Sequence, residues 1–95
     1  MQVSYYNSYE RTLKFFQKKH KQLIPIIEET IELLQTDKED TRLKYKKINC
    51  QKDKNRYSVR VINKPYRILF TVFENEYKLI CICDHDQYDK YNKRC

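Results

Sequence analysis

The hydrophobic period changes once along this chain. In its first third, apolar residues recur at helical spacing. Leu13 and Phe16, with Tyr9 before them, fall on one face, and Lys14, Lys18, Lys19 and Lys21 take the other side. Asn7 and Glu10 have the spacing of a capping box, so this helix is expected to start at Asn7 and to end near His20. A second apolar stripe, Ile24, Ile27, Ile31 and Leu34, predicts a helix from about Leu23. Pro25 suits its first turn, where a missing N–H costs nothing. Glu28, Glu29 and Glu32 face water, and the polar stretch from Thr36 to Thr41 ends the element. Val3-Ser4-Tyr5-Tyr6, ahead of both helices, is a candidate edge strand.

From Leu43 the period becomes two. Leu43, Tyr45 and Lys47 mark a weak strand. Tyr57, Val59 and Val61 mark the next, then Ile68, Phe70 and Val72, then Leu79, Cys81 and Cys83. Asn63-Lys64-Pro65 and Glu74-Asn75-Glu76 are the expected turns, and a proline can start a strand without breaking a ladder. The expected fold is α+β. An N-terminal strand and a helical hairpin pack on one face of a three- to four-stranded antiparallel sheet, followed by a short C-terminal segment. Residues 1–95 make one domain.

Charge adds a second layer to this pattern. Between Arg42 and Arg67 there are ten lysines and arginines against one acid, Asp53. The whole chain carries only +7, so the basicity is concentrated on the expected strands. A positive surface built on a sheet attracts a polyanion, and strands hold its charges at fixed spacing. Lys44, Lys46, Lys47, Lys52, Lys54 and Arg56, with Ser58 among them, are the candidate polyanion-contacting residues of this surface. The same lysines are also what an AT-rich genome would supply through codon bias. No apolar run approaches the ~20 residues of a membrane span. The N-terminus lacks the pattern of a signal peptide, so a cytoplasmic protein is expected.

The chain has no glycine, so turns needing positive φ must fall to residues such as Asn49, Asn55, Asn63 and Asn75. Its four cysteines are Cys50, Cys81, Cys83 and Cys95. In a cytoplasmic protein they are expected as thiols. Cys81, Cys83 and His85 alternate and would share one face of an extended strand. Paired zinc ligands are usually spaced more widely, and a fourth ligand is not evident, so no metal and no other cofactor is expected.

Alternation also places chemistry. Val59, Val61, Phe70 and Val72 should meet the helices, leaving Ser58, Arg60 and Arg67 on the opposite face. Arg60 and Arg67 flank one tight turn, and Asp84-His85-Asp86 ends the neighbouring strand. One polar cluster can therefore be built from distant parts of the chain.

The stretch RYSVRVINKPYRILFTV and the ending ICICDHDQYDKY resemble the RelE/ParE superfamily of bacterial type II toxins. The best markers are Tyr66-Arg67 after a turn, and His85 followed by Tyr88 and Tyr91. RelE-like members cut mRNA in the ribosomal A site, whereas ParE-like members inhibit DNA gyrase, and both are neutralised by an antitoxin. The resemblance implies a ribosome-dependent, metal-independent endoribonuclease whose partners are a cognate antitoxin, the ribosome and mRNA. A ParE-like gyrase inhibitor and an inactive RNA- or antitoxin-binding relative are the alternatives. By resemblance, Arg67 matches the arginine at the scissile phosphate, and Arg60 falls where a functional lysine stands. His85 falls at a position held by arginine or a catalytic histidine, and Tyr91 at the C-terminal tyrosine, with Tyr88 its rival. Ser58 departs from a common lysine, and the glycine usual before the Tyr-Arg pair is missing. Guanidinium groups would neutralise a phosphorane. Arginine is a poor base, which leaves the His85 imidazole as the proton carrier, oriented by Asp84 or Asp86.

Overall fold

In the computed structural model, which describes residues 1–93 and 95, β1 (Gln2–Tyr5) runs straight into α1 (Asn7–Lys19). A single 3-10 turn (Lys21–Leu23) leads to α2 (Ile24–Thr36), with Pro25 in its first turn. A second 3-10 turn (Thr41–Leu43) precedes the sheet strands β2 (Lys46–Lys47), β3 (Arg56–Arg60), β4 (Arg67–Phe73) and β5 (Glu76–Cys83). The chain closes with α3 (His85–Lys93). The five strands form one sheet in the order β1-β5-β4-β3-β2. All pairs are antiparallel except β1 with β5, which is parallel.

The expected α+β layering is present, with one strand more than the expected maximum and a third helix in place of the short C-terminal segment. β1 is an edge strand, as expected. It joins the sheet beside β5, in parallel. β1 covers β5 only from Glu76 to Leu79. Beyond it, α1 supplies the missing partners. The Ser8 hydroxyl donates to the Ile80 carbonyl at 2.6 Å, and the Ile82 amide donates to Thr12 Oγ1 at 3.1 Å. Buried backbone groups are therefore satisfied by helix hydroxyls where the strand ladder stops.

Asn7 does not cap α1. Tyr6 holds the cap position without a side-chain bond, its amide tied to the Leu79 carbonyl at 3.0 Å. Leu43 is not in a strand either. It is fully buried at the end of the 3-10 turn, and Asp40 caps that turn by accepting from the Arg42 amide at 2.9 Å. Alternation from Leu43 to Lys47 marked which residues point inward, but not the backbone that carries them.

The two faces of the sheet bury two separate clusters. On one, Tyr9, Phe16, Leu23, Ile27 and Leu34 from the helical pair meet Val59, Ile68, Phe70, Leu79 and Ile82. On the other, α3 lays Tyr88 over Leu69, Ile80, Cys81 and Cys83, with Ile48 and Cys50 beside them. A bulge between Leu69 and Phe70 shifts the β4–β5 register, pairing Leu69 with Cys81 and Phe70 with Leu79. Ile80 is thus the extra residue, and it and Cys81 both join the α3-side cluster.

Of the asparagines expected at turns, Asn63 (φ 58°) and Asn75 (φ 61°) take positive φ, Asn55 sits in a turn without it, and Asn49 does neither. Lys44 (φ 48°) and Glu74 (φ 48°) take left-handed positions instead. Glu74-Asn75 is a two-residue hairpin loop, a geometry that requires positive φ at both central residues. The expectation of free thiols is also overturned. Cys50 is bonded to Cys95 and Cys81 to Cys83. Strand alternation puts Cys81 and Cys83 on one face, and α3 carries Cys95 back to the loop before β3.

Candidate functional site

β3 and β4 face each other across the Val61–Tyr66 turn, so that Arg60 is directly opposite Arg67. The turn is closed by the Val61 amide donating to the Tyr66 carbonyl at 2.9 Å and the Lys64 amide donating to the Val61 carbonyl at 2.9 Å. It is anchored to the helical layer at two points. The Tyr66 ring meets Phe16 edge-on at 5.0 Å, and the Ile62 amide donates to Thr30 Oγ1 at 3.1 Å. Arg60 Nε donates to the Lys64 carbonyl at 3.0 Å, which holds this guanidinium against the turn.

α3 begins at His85, with only Asp84 between it and the end of β5 at Cys83. Asp84 accepts from the Gln87 amide at 2.9 Å, and Gln87 Oε1 accepts from the Asp84 amide at 3.3 Å. This reciprocal cap fixes the start of α3 and brings His85, its first residue, to the end of the sheet where Arg60 and Arg67 project. Arg60, Pro65, Tyr66, Arg67 and His85 line one cavity of about 150 Å³. It lies on the α3 side of the sheet, away from the helical pair. His85 is largely exposed, and its Nε2 lies 3.4 Å from Asp89 Oδ2, one turn along α3.

Asp84 and Asp86 were the expected orienting groups for His85. Asp84 instead caps α3, and the carboxylate facing the imidazole is Asp89. The His85–Asp89 spacing of four is a helical signal, invisible while the segment reads as the end of a strand. His85 accordingly does not extend the Cys81–Cys83 face.

The other candidates separate into groups. Tyr88 lies beneath Arg67, with the guanidinium carbon 5.2 Å from the ring centroid. Its hydroxyl is 3.3 Å from Ser58 Oγ, in a buried contact. Ser58 is fully enclosed and so does not reach the surface as an RNA contact. Tyr91 packs against the α3-side cluster and does not line the cavity. Arg56 is also withdrawn from the surface, with Nε 3.4 Å from Asp53 Oδ2 and a second nitrogen 3.2 Å from Cys95 Sγ.

The lysines remain exposed but do not form one patch. Lys46 is opposite Ser58 and Lys47 opposite Tyr57, on opposite faces of the sheet. Lys47 and Lys54 border an open cavity of about 510 Å³ with Ile48, Asn49, Cys50 and Gln51. Lys44 borders another with Lys38, Glu39 and Asp40, and Lys52 is exposed on the loop before β3. The described residues contain no cluster of three or more His, Cys, Asp or Glu that could hold a metal ion. No helix among them is long and apolar enough to cross a membrane.

The site therefore offers two fixed cations and one imidazole on a surface open to solvent, an arrangement suited to binding a phosphodiester and moving a proton beside it. This site is set in the fold of the YoeB, YafQ and ParE-type toxins. The YoeB dimer from Staphylococcus aureus superposes with a TM-score of 0.72 over 90% of this chain and 97% of that one, at 21% identity. The DinJ–YafQ complex of E. coli gives 0.76 over 90% and 94%, at 14% identity. A YoeB/ParE toxin from Agrobacterium tumefaciens gives 0.72 over 90% and 99%, at 15% identity. No protein-family model and no curated protein matches the sequence. The fold is the RelE/ParE-type fold that the sequence resemblance implied.

Proposed function

We propose that this chain is the toxin of a type II toxin–antitoxin pair, and that it cleaves mRNA at the ribosome as a metal-independent endoribonuclease. The observation that carries this reading is the shared cavity of Arg60, Arg67 and His85. Cleavage by an internal nucleophile needs little else. The ribose 2′-oxygen loses its proton and attacks phosphorus, and the 5′-oxygen leaves with a proton. Arg67 and Arg60 offset the charge that develops on the phosphorane. His85 carries the proton, with Asp89 orienting its ring. The exposed lysines draw in the RNA backbone without reading its sequence.

YoeB and YafQ have each been solved bound to an antitoxin, YefM and DinJ. By analogy, a cognate antitoxin would lay an acidic segment over the cavity of Arg60 and Arg67 and block it, and the site of action would be the cytoplasm. The likeness to a YoeB/ParE toxin supports a second reading, a gyrase inhibitor without hydrolytic chemistry. Two assays on the purified chain separate these: translation-coupled mRNA cleavage and supercoiling by gyrase. The ribonuclease reading expects growth arrest on expression and cleaved messages, with cleavage falling roughly 100-fold or more in Arg67→Ala. Intact messages with blocked supercoiling would establish the gyrase reading. Normal growth and intact messages with supercoiling unaffected would leave an inactive binding relative.

A further inference from the structure

We infer that Tyr88 is a positioning residue that aims Arg67 into the cavity, that Ser58 holds Tyr88 in place, and that the phenol takes no part in chemistry. This rests on the ribonuclease reading for its consequence, but not for its geometry. Tyr88 is only 9% exposed, so its ring offers little face to a nucleotide. What the ring does touch is Arg67, at 5.2 Å, and stacking on an aromatic face restrains a guanidinium that would otherwise sample many rotamers. The hydroxyl faces Ser58 Oγ in a buried contact inside the protein, which places it away from a substrate in the cavity.

The arrangement also accounts for the departure at position 58. Ser58 is 0% exposed and sits opposite Leu69 in the β3–β4 ladder, under the Tyr88 ring. A lysine there would bring an unpaired ammonium into the apolar layer between α3 and the sheet, at heavy desolvation cost. A small hydroxyl fits the space and fixes the phenol. The lysine's contribution of charge is thus exchanged for control over where Arg67 points. His85 lies one turn before Tyr88 on the same helix, so α3 sets the imidazole and the guanidinium relative to one another.

Two readouts test this on the full chain. The first is the Arg67 Nε–Hε resonance, which the Tyr88 ring should displace by its ring current. The displacement is expected in full in the wild type and is expected to vanish in Tyr88→Leu. In Tyr88→Phe and in Ser58→Ala it should shrink and broaden alike, since each removes the same hydroxyl contact that holds the ring. The second is translation-coupled cleavage, with circular dichroism to certify folding. Tyr88→Phe should keep kcat within about threefold, and Tyr88→Leu should lose about tenfold in kcat with KM nearly unchanged. Should Tyr88→Leu not fold, the Phe and Ser58→Ala variants still decide the matter. An Arg67 resonance unmoved by Ser58→Ala and Tyr88→Leu would overturn the proposal. So would a Tyr88→Phe variant as inactive as Arg67→Ala with a ring-current displacement no smaller than that of an active Ser58→Ala, since the hydroxyl would then be chemical. Ring-current changes as expected in a wild-type chain that cleaves nothing would support the positioning role and sink only the ribonuclease reading.

Discussion

Thr30→Val replaces one buried hydroxyl with a methyl of nearly equal size. In the native chain Thr30 is fully enclosed in α2, and its Oγ1 does two things. It donates to the Ile26 carbonyl one turn back at 2.7 Å and accepts from the Ile62 amide at 3.1 Å. The Ile26 carbonyl lies in the helix, where its backbone ladder remains. The Ile62 amide has no such reserve, and the change leaves a buried donor without a partner. That costs about 1–3 kcal/mol, against which the new methyl returns up to about 0.8 kcal/mol. A net loss of about 1–2 kcal/mol is expected. For a domain of this size that lowers Tm by roughly 5–15 °C, with the slope of the urea transition unchanged. Hydrogen exchange gives the local signature: the Ile62 amide should lose protection in Thr30→Val and keep it in Thr30→Ser. A valine variant as stable as the wild type, with the Ile62 amide still protected, would refute the reasoning. The effect would extend beyond stability, because Ile62 opens the turn that sets Arg60 against Arg67.

Three further outcomes follow from other parts of the structure. Burial, with the nearby Tyr77 and Tyr57 phenols adding to it, pushes the Tyr45 phenol up to about 12, and burial raises Tyr9 and Tyr77 as well. A phenol held protonated by the fold leaves stability level below its ordinary value of 10.0 and erodes it as pH climbs from there toward about 12. Urea midpoints should therefore fall across that window, and less steeply in Tyr45→Phe; a flat profile would contradict the burial. The Cys50–Cys95 bond closes a sequence separation of 45, worth about 4 kcal/mol by loop entropy. Reductant should lower Tm by more than about 15 °C, whereas free alkylation of Cys50 in the untreated native protein would show that the bond does not form. Asp84→Ala removes the cap of α3 and should cost about 1 kcal/mol, read as faster amide exchange at Gln87 and Tyr88 with the sheet amides unaffected; uniform change would mean that α3 does not open separately.

Period-two alternation from Tyr57 to Cys83 was enough to place Arg60 and Arg67 side by side, because pleating leaves only two faces to choose from. Two apolar stripes likewise located α1 and α2. α3 was illegible for a physical reason. Its residues are mostly polar, and its apolar contacts are made by two tyrosines, Tyr88 and Tyr91, so no stripe announces it. The Asp84…Gln87 spacing is a clue to its start, but it is masked by the charges of Asp84-His85-Asp86, which point to chemistry first. The roles of Ser58 and Arg56 were missed because burial of a polar residue depends on what covers it, and the cover is α3. β1 was legible as an edge, but a parallel partner 74 residues away leaves no mark on the local pattern.

The helical pair and its apolar seam lie wholly on the far side of the sheet from α3. Unlatching α3 should accordingly leave a folded domain that keeps its lysines and both strand arginines. It would retain attraction for RNA and lose the alignment that turns attraction into reaction. Nine residues thus divide grip from cutting, and an antagonist could disarm the protein by lifting the start of that one helix, whose far end the Cys50–Cys95 bond tethers, without ever entering the hollow.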